Sequence, residues 1–362
     1  MSMEGVAFIE DQAQKNPGAY AATSIPISAE TLQQAQTLVS KIFSLTENPL
    51  FQQWMLEGHT EAALHSQGVL SLFGACDYHM TKSGLQLIEV NTHAGGAIAG
   101  ALWQKALEEK KIVKRPLFSA DAALSSFWEA FENEWGLYKK NGGRKLKTIA
   151  IVDDAPETQP YYEVEFVGTK KMLEERGIMV SILDASSLKT LEGIDLVYNR
   201  CCDFYFEEER HPILKEALLT DQCCFSPSPY MHALTAQKDI LVYMTEENIS
   251  PLIPETRFFS SWNREALWKE RRHWVFKPRD RYQGKGVYRG DKISRTYFDR
   301  LPPKEYIVQR FVAPSETPEG LKTEIRFYHY GNTISFGVAR LYHGQIMGFQ
   351  DPRGGVAPLE VL

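Results

Sequence analysis

Apolar residues recur at helical spacing through residues 28–70. Leu32, Ala35, Leu38 and Val39 form one stripe, and Phe51, Trp54 and Met55 a second. A 3.6-residue period gathers each stripe on one helix face, where core packing is the simplest role. Ser28-Ala29-Glu30, just before the first stripe, reads as a helix cap. Two strand-like runs follow, 70–73 and 85–90, around a turn at 81–84. Helices are predicted over 97–110 and 120–138.

Lys139 to Arg144, with Asn141-Gly142-Gly143 at its centre, interrupts the pattern as a linker. Beyond it, 148–153 is a buried-strand run, 166–176 reads as a helix, and 180–183 and 196–198 as strands. Strand, helix and strand in this rhythm predict a parallel α/β unit over 145–228. From Tyr230 the pattern changes. A helix at 238–247 leads into strands at 273–276, 306–311, 323–330, 333–342 and 345–349. Tyr330-Gly331-Asn332 and His343-Gly344 are the hairpin turns of this α+β, mostly antiparallel part. No internal repeat or low-complexity segment interrupts the chain.

The length, 362 residues, suits two or three domains of roughly 100–200 residues each. Lys+Arg 40 against Asp+Glu 46 gives a net charge of -6, so nothing in bulk draws the chain to nucleic acid or an anionic membrane. Any phosphate must then be held by locally placed cations. The N-terminal stretch lacks a basic-then-apolar leader pattern, and no apolar run approaches the ~18 residues of a spanning helix. A soluble, cytoplasmic protein is expected. Cys76, Cys201, Cys202, Cys223 and Cys224 are odd in number and partly vicinal, a poor disulfide framework without zinc-type C-x-x-C spacing. The two vicinal pairs read as buried small hydrophobes or, if they meet in space, as ligands for a soft metal.

Four elements carry candidate chemistry. Trp274-Val275-Phe276-Lys277-Pro278 delivers a lysine at a strand end, and a loop with Gly284 and Gly286 follows. Glycine lets backbone N–H groups approach phosphate oxygens while a fixed lysine neutralises them. P-loop spacing is absent, and strands rather than a helix follow the glycines, against a Rossmann fingerprint. The run 305–312 is an apolar strand whose end could lie along an adenine ring, or simply a core strand. Glu324, Arg326 and Arg340 on paired strands can point to one side, as a site or as a surface ion-pair ladder. Glu89 and Asn91, one residue apart on a strand with Asp77 upstream, offer converging oxygens suited to Mg²⁺. The same polar pair could instead cap the helix after Thr92-His93-Ala94-Gly95-Gly96. No Gly-x-Ser-x-Gly element or H-x-x-x-H pair exists, and His93 is the one histidine beside these groups.

Taken in order, these elements resemble the ATP-grasp superfamily in a circularly permuted arrangement, similar to eukaryotic-type glutathione synthetase. The Glu89-Val90-Asn91 strand precedes the phosphate lysine instead of following it. Tyr198-Asn199-Arg200 with Tyr205 resembles that family's Tyr-x-Arg segment, and Phe225-Ser226-Pro227 followed by Ala236-Gln237-Lys238 its loop to a first nucleotide lysine. Lys277-Pro278 with its loop resembles the lid, and Arg340 with Gly354-Gly355-Val356-Ala357 the carboxylate arginine and closing loop.

The resemblance implies an α/β (α+β mix) ATP-grasp fold with an inserted parallel α/β substrate domain. It divides the chain into 1–140, 141–229 and 230–362, with a lid at about 279–290. It implies an ATP- and Mg²⁺-dependent carboxylate–amine ligase working through an acyl phosphate on small-molecule acid and amine substrates, and leaves a homodimer open. By position, Glu89, Asn91 and Asp280 would hold Mg²⁺, and Lys238, Lys277, Gly284, Gly286, Gln309, Arg310 and Phe311 the nucleotide. Arg200 and Arg340 would anchor substrate carboxylates, with Asp77 as base or outer metal partner. The chain departs from the family pattern at Arg281, where a lid carboxylate belongs, at Ala75 for an arginine, and at Tyr342 for a lysine. A phosphotransferase sharing these groups, or a nucleotide-binding module without turnover, is the alternative.

Overall fold

Three β-sheets organise the chain in a computed structural model that describes residues 3–82, 84–159, 161–281, 284–344 and 351–362. The largest runs in the order Ile25–Ile27, Gly355–Val361, Thr333–Tyr342, Lys322–Tyr330, Gly74–Thr81, Gly84–Asn91, with short Ser315–Glu316 added to Lys322–Tyr330. The first pair is parallel and the others antiparallel. Strands from both ends of the chain therefore complete one sheet.

Alternation along these strands gives the sheet two unlike faces. One carries Tyr78, Leu87, Ile325, Phe327, Leu341 and Leu359, packed with Ala35, Leu38, Val39 and Ile42 of the helix Ala29–Thr46. The other is divided. Phe336 and Val338 pack beneath the helices Ala97–Glu109 and Ala120–Leu137, and Asp77, Glu89, Asn91, Glu324, Arg326 and Arg340 face a cavity. Gly100 sets the helix's approach, because a Cβ there would meet Val338 Cγ1 at 3.0 Å and Phe336 Cε1 at 3.1 Å.

A second, antiparallel sheet runs Tyr288–Arg289, Trp274–Pro278, Tyr306–Arg310, Thr256–Phe258. It is held by its own core of Phe259, Leu267, Trp274, Phe276, Phe298 and Val308. The third is fully parallel, in the order Met179–Asp184, Thr148–Asp153, Leu196–Asn199, Cys224–Ser226. Both of its faces are covered, which explains why its strands read as unbroken apolar runs.

The sequence reading needs three adjustments. Residues 28–70 are three helices, Ala29–Thr46, Pro49–Leu56 and Glu61–Leu64, because Asn48 and Thr60 each start a new one as caps. Residues 70–73 are a turn rather than a strand, with Ser71 and Phe73 at positive φ. Leu72 and Phe73 are apolar because they enter the core, while the strand runs over Gly74–Thr81. Helix 166–176 begins as a π-helical turn, Tyr162–Val167, before Gly168–Glu174. The strand expected at 345–349 lies outside the described residues.

Glu134 locks the turn in place. Its buried carboxylate accepts from Leu70 N at 2.8 Å, Ser71 N at 3.2 Å, Tyr330 Oη at 2.9 Å and the Ser226 hydroxyl. One side chain thereby joins the helix Ala120–Leu137, the large sheet and the parallel sheet. Burial pushes its pKa up, against the pull of these neutral donors. Among the described residues, no helix is long and apolar enough to cross a membrane, and the five cysteines form no disulfide.

Candidate active site

The three sheets meet around one cavity of about 920 Å³. Its floor is the polar half of the large sheet. Cross-strand register sets Asp77 opposite Glu89 and Arg326, and Glu324 opposite Arg340, so alternation delivers all five side chains to one side. Asp77 accepts from Arg326 Nε at 2.7 Å and Nη2 at 2.8 Å, from Arg340 Nη2 at 2.9 Å and from Asn91 Nδ2 at 3.1 Å. Glu324 meets the same Nη2 of Arg340, whose Nε is buried without a partner. Burial alone would raise the Asp77 pKa, but the two guanidiniums override it and hold the carboxyl well below its usual range. An ionised carboxylate with both oxygens engaged cannot accept a proton in the working pH range. Of the two roles expected for Asp77, this pairing suits the outer metal partner rather than the base.

A bulge joins the floor to the second sheet. Pairing jumps from Asp77–Glu89 to Tyr78–Leu87, which leaves the Ile88 carbonyl out of the ladder. Lys277, delivered by Trp274–Pro278, donates to that carbonyl at 2.8 Å and to Gln309 Oε1 at 2.7 Å. Burial lowers its pKa to about 8, helped by the charge on Lys238 and opposed by Glu89. Lys238, just before the helix Asp239–Glu246, lies 3.0 Å from Glu89 Oε1 and donates to the Arg281 carbonyl at 2.6 Å. Arg279 pairs with Asp239 and donates to the Lys304 carbonyl at 2.9 Å, so the lid base is tied to this helix. Arg289 stacks on the Phe311 ring at 4.4 Å, and Arg310 on Trp274 at 5.3 Å.

The wall comes from the parallel sheet. Arg200 follows Leu196–Asn199 at the carboxyl end of that strand, where parallel sheets place ligands. Its Nε and Nη1 are buried without a hydrogen-bond partner. Burial opposes its charge, while Tyr198, Glu165 and Asp153 favour it and raise the pKa. Glu165 is itself fixed by Gly96 N at 2.7 Å and Tyr198 Oη at 3.3 Å. Burial raises the Asp153 pKa to about 6. His93 and His232 are both kept neutral, chiefly by burial, with Thr92 Oγ1 between their Nδ1 atoms at 3.0 and 2.8 Å. Phe204 stacks on His232 at 3.8 Å.

Arg340, Arg200, Asp77, Lys238, Lys277, Gly284, Gln309, Arg310, Phe311, Glu89, Asn91 and Asp280 all line this cavity. Gly286 does not; it packs behind the loop, where a Cβ would sit 3.2 Å from Pro278 Cγ and Tyr306 Oη. Its φ of 76° needs glycine for the turn itself. The ladder of Glu324, Arg326 and Arg340 is buried in the floor, not displayed on a surface. Sequence reasoning missed Tyr161, Glu165 and His232, and the N-terminal wall formed by Lys15, Asn16, Pro17, Ala19 and Tyr20. It also missed Asp153, buried behind the wall, whose charge favours that of Arg200 and whose place at the carboxyl end of a parallel strand was the signal.

The fold has solved counterparts. A glutathione synthetase-like effector from Globodera pallida, in its apo form, superposes with a TM-score of 0.59 at 13% identity, covering 99% of this chain and 96% of that one. A Methylobacillus flagellatus protein carrying the provisional name gamma-glutamylcysteine synthetase gives 0.51 at 13% identity, covering 93% and 90%. At such identity the likeness is one of fold. No protein-family model matches the chain, and no curated protein matches it in sequence.

Proposed function

We propose that this chain is an ATP- and Mg²⁺-dependent ligase that joins an amino-acid-like or peptide-like carboxylate to an amine through an acyl phosphate. The observation that carries this reading is convergence. Two lysines, a Glu-x-Asn strand and a buried guanidinium with open donors, brought by three different sheets and the start of the helix Asp239–Glu246, line one cavity. The synthetase names of both structural neighbours support the reaction class. In chain order the arrangement corresponds to a permuted ATP-grasp enzyme, with 1–140 and 230–362 gripping the nucleotide and 141–229 holding the acid.

The donor set fits the groups it would hold. Asn91 gives its Nδ2 to Asp77, which leaves Oδ1 turned to neither arginine and available to a cation beside Glu89. Glu89 and Asn91 are oxygen donors of the kind Mg²⁺ takes, with Asp280 entering from the lid loop. When bound, ATP supplies the phosphoryl group that makes the carboxylate an acyl donor, and Mg²⁺ supplies positive charge at the phosphates. Lys277 and Lys238 would neutralise phosphate oxygens, Lys238 exchanging Glu89 for them. Gln309, Arg310 and Phe311 would frame the adenine. Arg200 and Arg340 would orient substrate carboxylates, and the lid would keep water from the activated acid.

The test is turnover with a panel of amino-acid-like acids and amines. If the acid carries heavy oxygen in its carboxylate, the reading predicts amine-dependent ADP release and label transferred to phosphate. Phosphorylated acid without amide would mean a phosphotransferase. No ADP release with any pair would favour a binding module, the reading to which Arg281 and Ala75 already point.

A further inference from the structure

Behind the Arg200 wall lies a second polar cluster that the proposed chemistry does not use. Asp154 follows the strand Thr148–Asp153, Cys201 follows Arg200, and His211 precedes the helix Pro212–Leu219. Asp154, Cys201 and His211 present ligand atoms within 4.8 Å of one another. Cys201 and His211 are completely buried. His211 Nε2 faces Asp154 Oδ1 at 2.7 Å, and its Nδ1 faces Asp203 Oδ2 at 2.8 Å. Asp203 is fixed in turn by Glu208 N at 2.7 Å.

We propose that Asp154, Cys201 and His211 form a binding site for a zinc-class divalent ion, with Asp203 as the group that orients His211. The donor chemistry, one imidazole, one thiol and one carboxylate, is the set that zinc takes with a further position left for water. A carboxylate on the outer imidazole nitrogen is the usual companion of a metal-binding histidine, because it fixes the ring and makes the inner nitrogen a better donor. Here the outer partner is Asp203, and the inner nitrogen points at the other two donors.

Arg210 Nη2 lies 3.1 Å from Asp154 Oδ2 and 2.6 Å from Glu208 Oε2, at the rim of the cluster. Metal binding would release the Cys201 thiol proton and set the ion against the thiolate and the Asp154 carboxylate. Cys201 is bonded to Arg200, so the ion would also anchor the loop that carries the wall.

Cobalt(II) titrated into the metal-free full chain is the probe, followed by thiolate-to-cobalt charge-transfer absorbance. One equivalent should saturate the band, and zinc should displace it. Cys201→Ser, close in size, should lose the band; Cys202→Ser should keep it. Asp203→Asn should weaken affinity about tenfold. No saturable band in the wild type, or a band that survives in Cys201→Ser, would overturn the site and leave the cluster a fixed imidazolium between two carboxylates. None of these readouts involves nucleotide or turnover, so they stand apart from the ligase reading.

Discussion

Arg326 on the floor and Arg200 on the wall are both buried guanidiniums facing one cavity, yet their surroundings differ. Arg326 gives a two-point hydrogen bond to Asp77, which also binds Arg340. Arg200 keeps two nitrogens without a partner. A buried charge is tolerated when geometry pairs it, and an unpaired donor is costly to keep. The floor is therefore a largely self-neutralised frame that fixes Asn91 through Asp77. Most of the unspent donor capacity sits on the wall, against the single open nitrogen of the floor, Arg340 Nε, and a substrate anion would complete it.

The sharpest way to break this contrast is Asp77→Asn. It leaves Arg326 and Arg340 buried without their carboxylate, and should cost about 3 kcal/mol or more in denaturant unfolding. The same group sets a pH dependence. Its folded pKa is depressed, so its contribution is complete above the unfolded value near ~4 and is lost as pH falls further below it. Stability measured from pH 6 to 3 should fall more steeply in the wild type than in Asp77→Asn.

Arg200→Met should act mainly on function. Losing the charge that faces Glu165 and Asp153 should cost less stability than Asp77→Asn, while KM for the acid rises about tenfold or more. Nucleotide-analogue affinity should not move. A large stability loss with unchanged KM would make Arg200 part of the frame.

Lys277 sharpens the boundary between frame and ligand. Phosphate should bind its charged form, so nucleotide affinity should fall up to about tenfold per pH unit above its pKa of about 8. Stability should move the other way, since between 8 and the ordinary 10.5 the unfolded chain binds the extra proton. Lys277→Met should flatten both profiles.

The smallest effect is in the lid. Gly286→Ala forces an L side chain into φ 76° and against Tyr306. It should cost about 1 kcal/mol and weaken nucleotide affinity only slightly.

What the sequence disclosed follows local rules. Glu89 and Asn91 share a face because strands alternate, and the helices Ala97–Glu109 and Ala120–Leu137 match their apolar period. The glycine loop after Lys277 is visible from composition alone. Register and saturation are not local. Nothing near Asp77 says that Arg326, far along the chain, will occupy it, so its paired state is not legible locally. Leu72 and Phe73 mimic a strand because burial, not β geometry, demands apolar residues there. Glu165 escaped because a π-helical turn shifts it off the helical period and into the cavity. The N-terminal wall reads as ordinary polar chain until Tyr20 pairs with Val356.

The most direct test of the central claim is calorimetric titration of the intact chain with a non-hydrolysable ATP analogue, with and without Mg²⁺. The account predicts one site per chain whose affinity increases with Mg²⁺, because the cation takes over Glu89 as Lys238 moves to phosphate. No binding in either condition would contradict it, and the cavity would then need a ligand of a different chemistry.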